Sequence, residues 1–135
     1  MECLCPACDP AALHTLHTLA LAHVGDGVFE LMVRTRLCLS GRITAGGLHR
    51  ETVRRVRAGA QAEYARQLWE MLSEEERAVF RRGRNARVRA VPQAATREEY
   101  QLATALETLW GYLFLTGRTA RLETLFARLP IDNGQ

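Results

Sequence analysis

Lysine is missing altogether, so every one of the 18 basic residues is arginine. Missing too is any run of eighteen apolar residues, which argues against a membrane-spanning helix. The opening MECLCPACDP has no basic segment leading into an apolar one, which argues against a secretory signal and makes the cytoplasm the expected compartment. Cysteine is badly placed for zinc. Cys3, Cys5 and Cys8 cluster, Cys38 stands far off, and no second pair follows. The first three read as free thiols on a loose N-terminal tail, and Cys38 as a small core residue of an apolar helix. Strand-like alternation and internal repeats are also absent, which leaves an all-α chain.

What is present suits one globular domain. The 135 residues are 47% hydrophobic and 24% charged, ordinary values for a chain with a real core. Asp9-Pro10 starts a helix, with the acid at the N-cap and proline at the first helical position. The apolar run Ala11 to Leu21 continues with helical spacing. His14 and His17 read as ordinary helix residues rather than metal ligands. Val24-Gly25-Asp26-Gly27-Val28 admits two readings: a turn between helices, or a continuous helix whose glycines let another helix come close. Residues 28–40 are helical and Gly41 stops them. Thr44 caps a helix to about Ala58, and residues 59–72 continue as helix. Capping boxes at Ser73-Glu-Glu-Glu76 and Thr96-Arg-Glu-Glu99 open two more, the first ending at Gly83 and the second running 97–116 to Gly117. A last amphipathic helix carries Leu122, Leu125, Phe126 and Leu129. The expected organisation is a cysteine-rich tail over 1–9, a domain over 10–130 and a short tail over 131–135.

The net charge of +3 hides an uneven distribution. Seven arginines lie between Arg77 and Arg97 with no acid among them, leaving eleven arginines against fifteen acids elsewhere. A basic block on an acidic body suits a polyanion, because arginine forks match phosphate oxygens and released counterions drive binding. Arg81, Arg82, Arg84, Arg87 and Arg89 are the candidate phosphate contacts, with Asn85 as a candidate partner for a ribose hydroxyl. Residues 84–95 lack a helical period, contain Pro92 and read as a loop. Their lack of aromatics suits duplex RNA, read by shape and 2′-hydroxyls, better than a base-stacking surface.

Two acids stand out because their neighbours are so apolar. From Pro10 to Val33 only Asp26 and Glu30 are charged, and from Gln101 to Gly117 only Glu107 is. A buried carboxylate costs several kcal/mol unless it is paired, hydrogen-bonded or metal-bound. Glu107 has Ala103, Thr104 and Gly111 beside it on the helix, small residues that admit a close partner. If that partner carries Asp26, the two carboxylates can share Mg2+, or Mn2+, both of which favour hard oxygen donors. Glu30 is a candidate for orienting water, with an i, i+4 ion pair to Arg34 as the favoured alternative.

LAHVGDGVFELMVR resembles the Gly-Asp signature of ribonuclease III domains, and ALETLWGYLFL resembles their later glutamate-bearing helix. With RRGRNAR between them, the chain resembles the Mini-III ribonucleases, which have the catalytic domain without the double-stranded-RNA-binding domain. The likeness spans roughly residues 10–130. It implies an all-helical homodimer with a valley for duplex RNA, and Mg2+-dependent cleavage leaving 5′-phosphate and 3′-hydroxyl ends. It further implies precursor large-subunit (23S) ribosomal RNA as substrate, with Asp26 and Glu107 as metal ligands. Larger relatives in the family carry two further acids, where this chain has Ala22 and Thr104. That loss matches the Mini-III pattern and puts a two-metal mechanism in question. It also keeps open a catalytically silent duplex-RNA-binding or ribosome-assembly module of the same fold. A third reading is a helical protein-interaction domain without RNA.

Overall fold

The structure, a computed structural model, describes residues 8–86, 91 and 94–133, and these are helical with no strand among them. Seven α-helices follow in order: α1 (Pro10–Leu13), α2 (Thr18–Ser40), α3 (Ala45–Val56), α4 (Ala58–Leu68), α5 (Glu74–Arg84), α6 (Arg97–Leu115) and α7 (Thr119–Phe126). Single 3-10 turns occupy Trp69–Met71 and Ile131–Asn133. No helix among the described residues is long and apolar enough to cross a membrane.

The organising element is α6. Leu102, Leu106, Leu109 and Leu113 are buried as one stripe, and Trp110, Tyr112 and Gly111 bury other directions. Such a helix must be surrounded; α2 packs along it most extensively, with α4 and α5 on its other sides. Phe29 of α2 stacks on Trp110 with ring centroids 5.5 Å apart and meets Tyr64 of α4 edge-on at 5.9 Å. Phe126 of α7 closes the cluster edge-on at 6.0 Å. Aromatic pairs of this kind add about 0.5–1.5 kcal/mol each beyond the area they bury.

Local chemistry sets the ends of these helices. Both expected capping boxes form, Ser73 with Glu76 and Thr96 with Glu99. Gly41 and Gly117 take the left-handed backbone that ends α2 and follows α6, at φ 68° and 74°. Buried Glu76 does double duty: Arg121 donates to both its oxygens at 2.8 and 2.9 Å, tying α7 to the start of α5. Burial alone would raise its pKa. The bonds from Arg121 and Ser73 outweigh that and hold it below the usual carboxylate value.

Four expectations need correction. The run Ala11 to Leu21 is broken at residues 14–17, where Thr15 bonds back to Ala12 and His17 turns its Nδ1 to cap Leu19 N–H at 3.1 Å. The helix expected from Thr44 to about Ala58 stops at Val56, because Arg57 is extended at ψ 157°. Cys38 is exposed rather than in the core, since Phe29, Val33 and Leu37 take the inward face of α2. The C-terminal residues 131–133 are docked: Ile131 is fully buried, and its carbonyl accepts from Arg55 Nε at 2.5 Å. Cys3 and Cys5 lie outside the described residues; Cys8 packs against the core, and its N–H bonds to the Leu115 carbonyl at 2.6 Å.

Candidate active site

Gly25-Asp26-Gly27 is helical, in the middle of the 23-residue α2. Propensity favours a turn there, but tertiary contact decides. A Cβ placed on Gly25 would lie 1.7 Å from the Glu107 carbonyl oxygen, and one on Gly111 would lie 2.0 Å from the Leu21 carbonyl oxygen. Only glycine at both positions lets the two backbones touch. The crossing is therefore fixed to within one residue, and it sets Asp26 beside Glu107.

The two carboxyls are close enough to act on one another. Burial, followed by the charge of the neighbouring Asp26, pushes the Glu107 pKa up to about 8, with a donated bond from Gln61 acting in the opposite direction. Asp26 itself is exposed and Glu107 half-buried, so the pair opens to solvent. Gln61 is the third member. It is 1% exposed, and its Nε2 donates to Glu107 Oε2 at 3.2 Å and to the Val56 carbonyl at 3.1 Å. Its Oε1 is buried without a partner, an arrangement that costs about 1–3 kcal/mol.

This donor set fits one hard divalent cation. Two carboxylates forced together are oxygen ligands of the kind magnesium takes while keeping most of its waters, and the unsatisfied amide oxygen of Gln61 can accept from such a water. No group of three or more His, Cys, Asp or Glu gathers among the described residues. Ala22 and Thr104 are buried and supply no acid.

The remaining candidates separate. Glu30 makes the i, i+4 ion pair with Arg34 at 2.9 Å. Arg81, Arg84 and Asn85 are exposed near the end of α5 and line a recess with Arg66, Trp69 and Phe80. The Arg81 guanidinium sits over the Trp69 ring at 5.4 Å. Arg82 is committed inward: Nε donates to Thr18 Oγ1 at 2.8 Å and Nη2 to the Leu16 carbonyl at 2.5 Å, bracing the start of α2. Arg87 and Arg89 lie outside the described residues.

Sequence reasoning passed over Gln61. A neutral glutamine in the alanine-rich stretch GAQAEYA carries no signal of burial, and only the packing of α4 on α6 reveals it.

Residues 19–118 match the family model of the ribonuclease III domain. The chain belongs to the ribonuclease III family. Within the family it is similar to the Mini-ribonuclease 3 of Symbiobacterium thermophilum, 44% identical over 123 residues that cover 90% of this chain and 95% of the relative. The Mini-ribonuclease 3 of Gloeobacter violaceus is 48% identical over 110 residues, covering 82% and 80%. A crystal structure of protein FN1578 from Fusobacterium nucleatum superposes with a TM-score of 0.77 at 25% identity, over 85% of this chain and 92% of that one. A ribonuclease III-family endoribonuclease of the Mini-ribonuclease 3 group accounts for both quoted motifs and for the helical fold that joins them.

Proposed function

We propose that the chain is an endonuclease for double-stranded RNA that requires Mg2+, with Mn2+ as a substitute, and that it matures precursor 23S ribosomal RNA in the cytoplasm. The observation that carries the reading is the meeting of Asp26 and Glu107 at the glycine crossing of α2 and α6. These two side chains would hold the cation. When bound, it supplies Lewis-acid activation of water and stabilises charge on the leaving 3′-oxygen, so that 5′-phosphate and 3′-hydroxyl ends result.

The protein's own groups do the rest. Asp26, exposed, meets solvent and substrate, while the half-buried Glu107 is held by Gln61. Glu30, one turn beyond Asp26, is free to orient water only when it releases Arg34, an exposed pair worth under about 1 kcal/mol. Arg81 and Arg84 bind backbone phosphates and Asn85 a ribose hydroxyl, and Arg87 and Arg89 extend the same basic segment. Arg82 contributes chiefly by bracing α2. Two copies, joined through the outer face of α2, would form the valley that accepts a duplex.

Duplex RNA incubated with Mg2+ tests this. Wild type should cut it, and Asp26→Asn and Glu107→Gln should each lose at least about 100-fold in rate while still binding. The double change Arg81→Gln, Arg84→Gln should weaken binding and lower the salt slope by about one per arginine removed. A second reading has one observation in its favour: the acid pair has no third carboxylate beside it among the described residues. A protein that binds duplex RNA but leaves it intact in both Mg2+ and Mn2+ is the silent assembly module instead.

A further inference from the structure

We infer that Gln61 is the positioning residue of the acid pair: a neutral clamp that aims the Glu107 carboxylate at the cation and offers its own free oxygen to that ion's water shell. The inference rests on the proposed cation site and deepens it.

The starting point is the break at Arg57. The extended backbone there ends α3 and leaves the Val56 carbonyl without a helical partner. Gln61, in the first turn of α4, spans the gap. One NH2 group serves two acceptors, the Val56 carbonyl at 3.1 Å and Glu107 Oε2 at 3.2 Å. An amide has two N–H bonds and both are used, so its plane is fixed. Fixing the plane fixes the other end too. Oε1 is left buried with no donor among the described residues, although every other part of the side chain is satisfied.

The choice of a neutral donor is chemically pointed. An arginine at this position would pair with Glu107 and compete with a divalent ion for its charge. An amide holds the carboxylate by hydrogen bonding and leaves the charge available. A purely structural staple between α3 and α4 needs only the bond to Val56. It explains neither the bond to Glu107 nor the unpartnered oxygen, whereas a water on a bound cation has the hydrogens that oxygen lacks. Groups that orient a metal's direct ligands commonly set affinity by 10–100-fold.

Mn2+ binding to the RNA-free protein, followed by the free-ion electron-paramagnetic signal, provides the test. Gln61→Leu and Gln61→Met keep the volume and remove the amide. Each should raise the Mn2+ dissociation constant about ten-fold or more. Each should also lower kcat by a similar factor, with KM for duplex RNA within about two-fold of wild type. In wild type, the Gln61 side-chain amide resonances should shift when Mg2+ is added, a readout independent of whether either variant folds. Wild-type Mn2+ affinity in a folded variant, or amide resonances unmoved at saturating Mg2+, overturns the role of Gln61 while cleavage by wild type leaves the nuclease intact. Wild type that neither binds Mn2+ nor cuts RNA overturns both.

Discussion

At the level of single residues, Glu107 makes a prediction about the cation-free protein. Its carboxyl ionises near 4.5 in an unfolded chain but only at about 8 in the fold, because it is buried and faces Asp26. Between those values the native state binds one more proton than the unfolded state, so stability must fall as pH rises. Other shifted groups stay out of this window. Glu75 and Glu76 are held below 4.5 by their partners, and Tyr112 is pushed up to about 12 by burial and Glu75. Thermal midpoints measured in EDTA should therefore decline from pH 5 to pH 8. Asp26→Asn removes the facing charge and should make the decline shallower, leaving the larger part that burial causes. If Mg2+ binds these carboxyls as proposed, it competes with the proton for their oxygens, so adding it at pH 8 should recover part of the loss. A variant profile as steep as that of wild type would show that the two carboxyls do not interact.

The scale of elements is governed by how α2 meets α6. A methyl group at Gly25 or Gly111 would strike backbone, not a side chain that can rotate away. Gly25→Ala should cost about 3 kcal/mol in chemical denaturation, at the upper end of overpacking penalties. Gly46→Ala, in the open first turn of α3, meets nothing within 4 Å and should be neutral or stabilising by up to about 1 kcal/mol. Equal effects at the two positions would mean that the helices do not cross where the glycines are.

The contrast also explains what the sequence could disclose. Helix ends fixed by adjacent residues were legible: the boxes at Ser73 and Thr96, the stops at Gly41 and Gly117. So was the leucine stripe of α6, because its period is local. The path of the chain through Gly25-Asp26-Gly27 was not, since local propensity and tertiary contact pull opposite ways there. Ile131 and Gln61 escaped for the same reason. A docked turn and a buried amide are each decided by a partner distant in sequence: Arg55 for Ile131, Glu107 for Gln61. Arg82 reads as one more cation of a basic block, although its donors face Leu16 and Thr18, more than sixty residues earlier in the chain. Charge shows that arginines are concentrated, not where each one points.

For the molecule as a whole, the outer face of α2 is the feature that one chain leaves unfinished. Leu31 is 63% exposed and Leu39 80%, on the same helix that carries Asp26. Leu31 borders a largely apolar groove formed with Val24, Val28, Met32, Phe114 and Leu122. A patch of this kind normally marks a protein contact, and a two-fold pairing through it would be self-complementary, each Leu31 facing the other copy's groove. Such pairing also answers a problem of count. On the proposed function one chain would supply a single acid pair, whereas cutting a duplex through requires a cut in each strand, and a symmetric dimer would bring two pairs to one substrate. Sedimentation should accordingly give wild type at about twice the 15.2 kDa of the chain. Leu31→Arg places a charge in the groove and should yield a folded monomer at micromolar concentration. That monomer should lose double-strand cleavage by at least about 100-fold, although Asp26, Glu107 and Gln61 are untouched. A variant that stays dimeric and active would move the pairing surface off α2, and a wild type that cuts both strands as a monomer would remove the need for pairing.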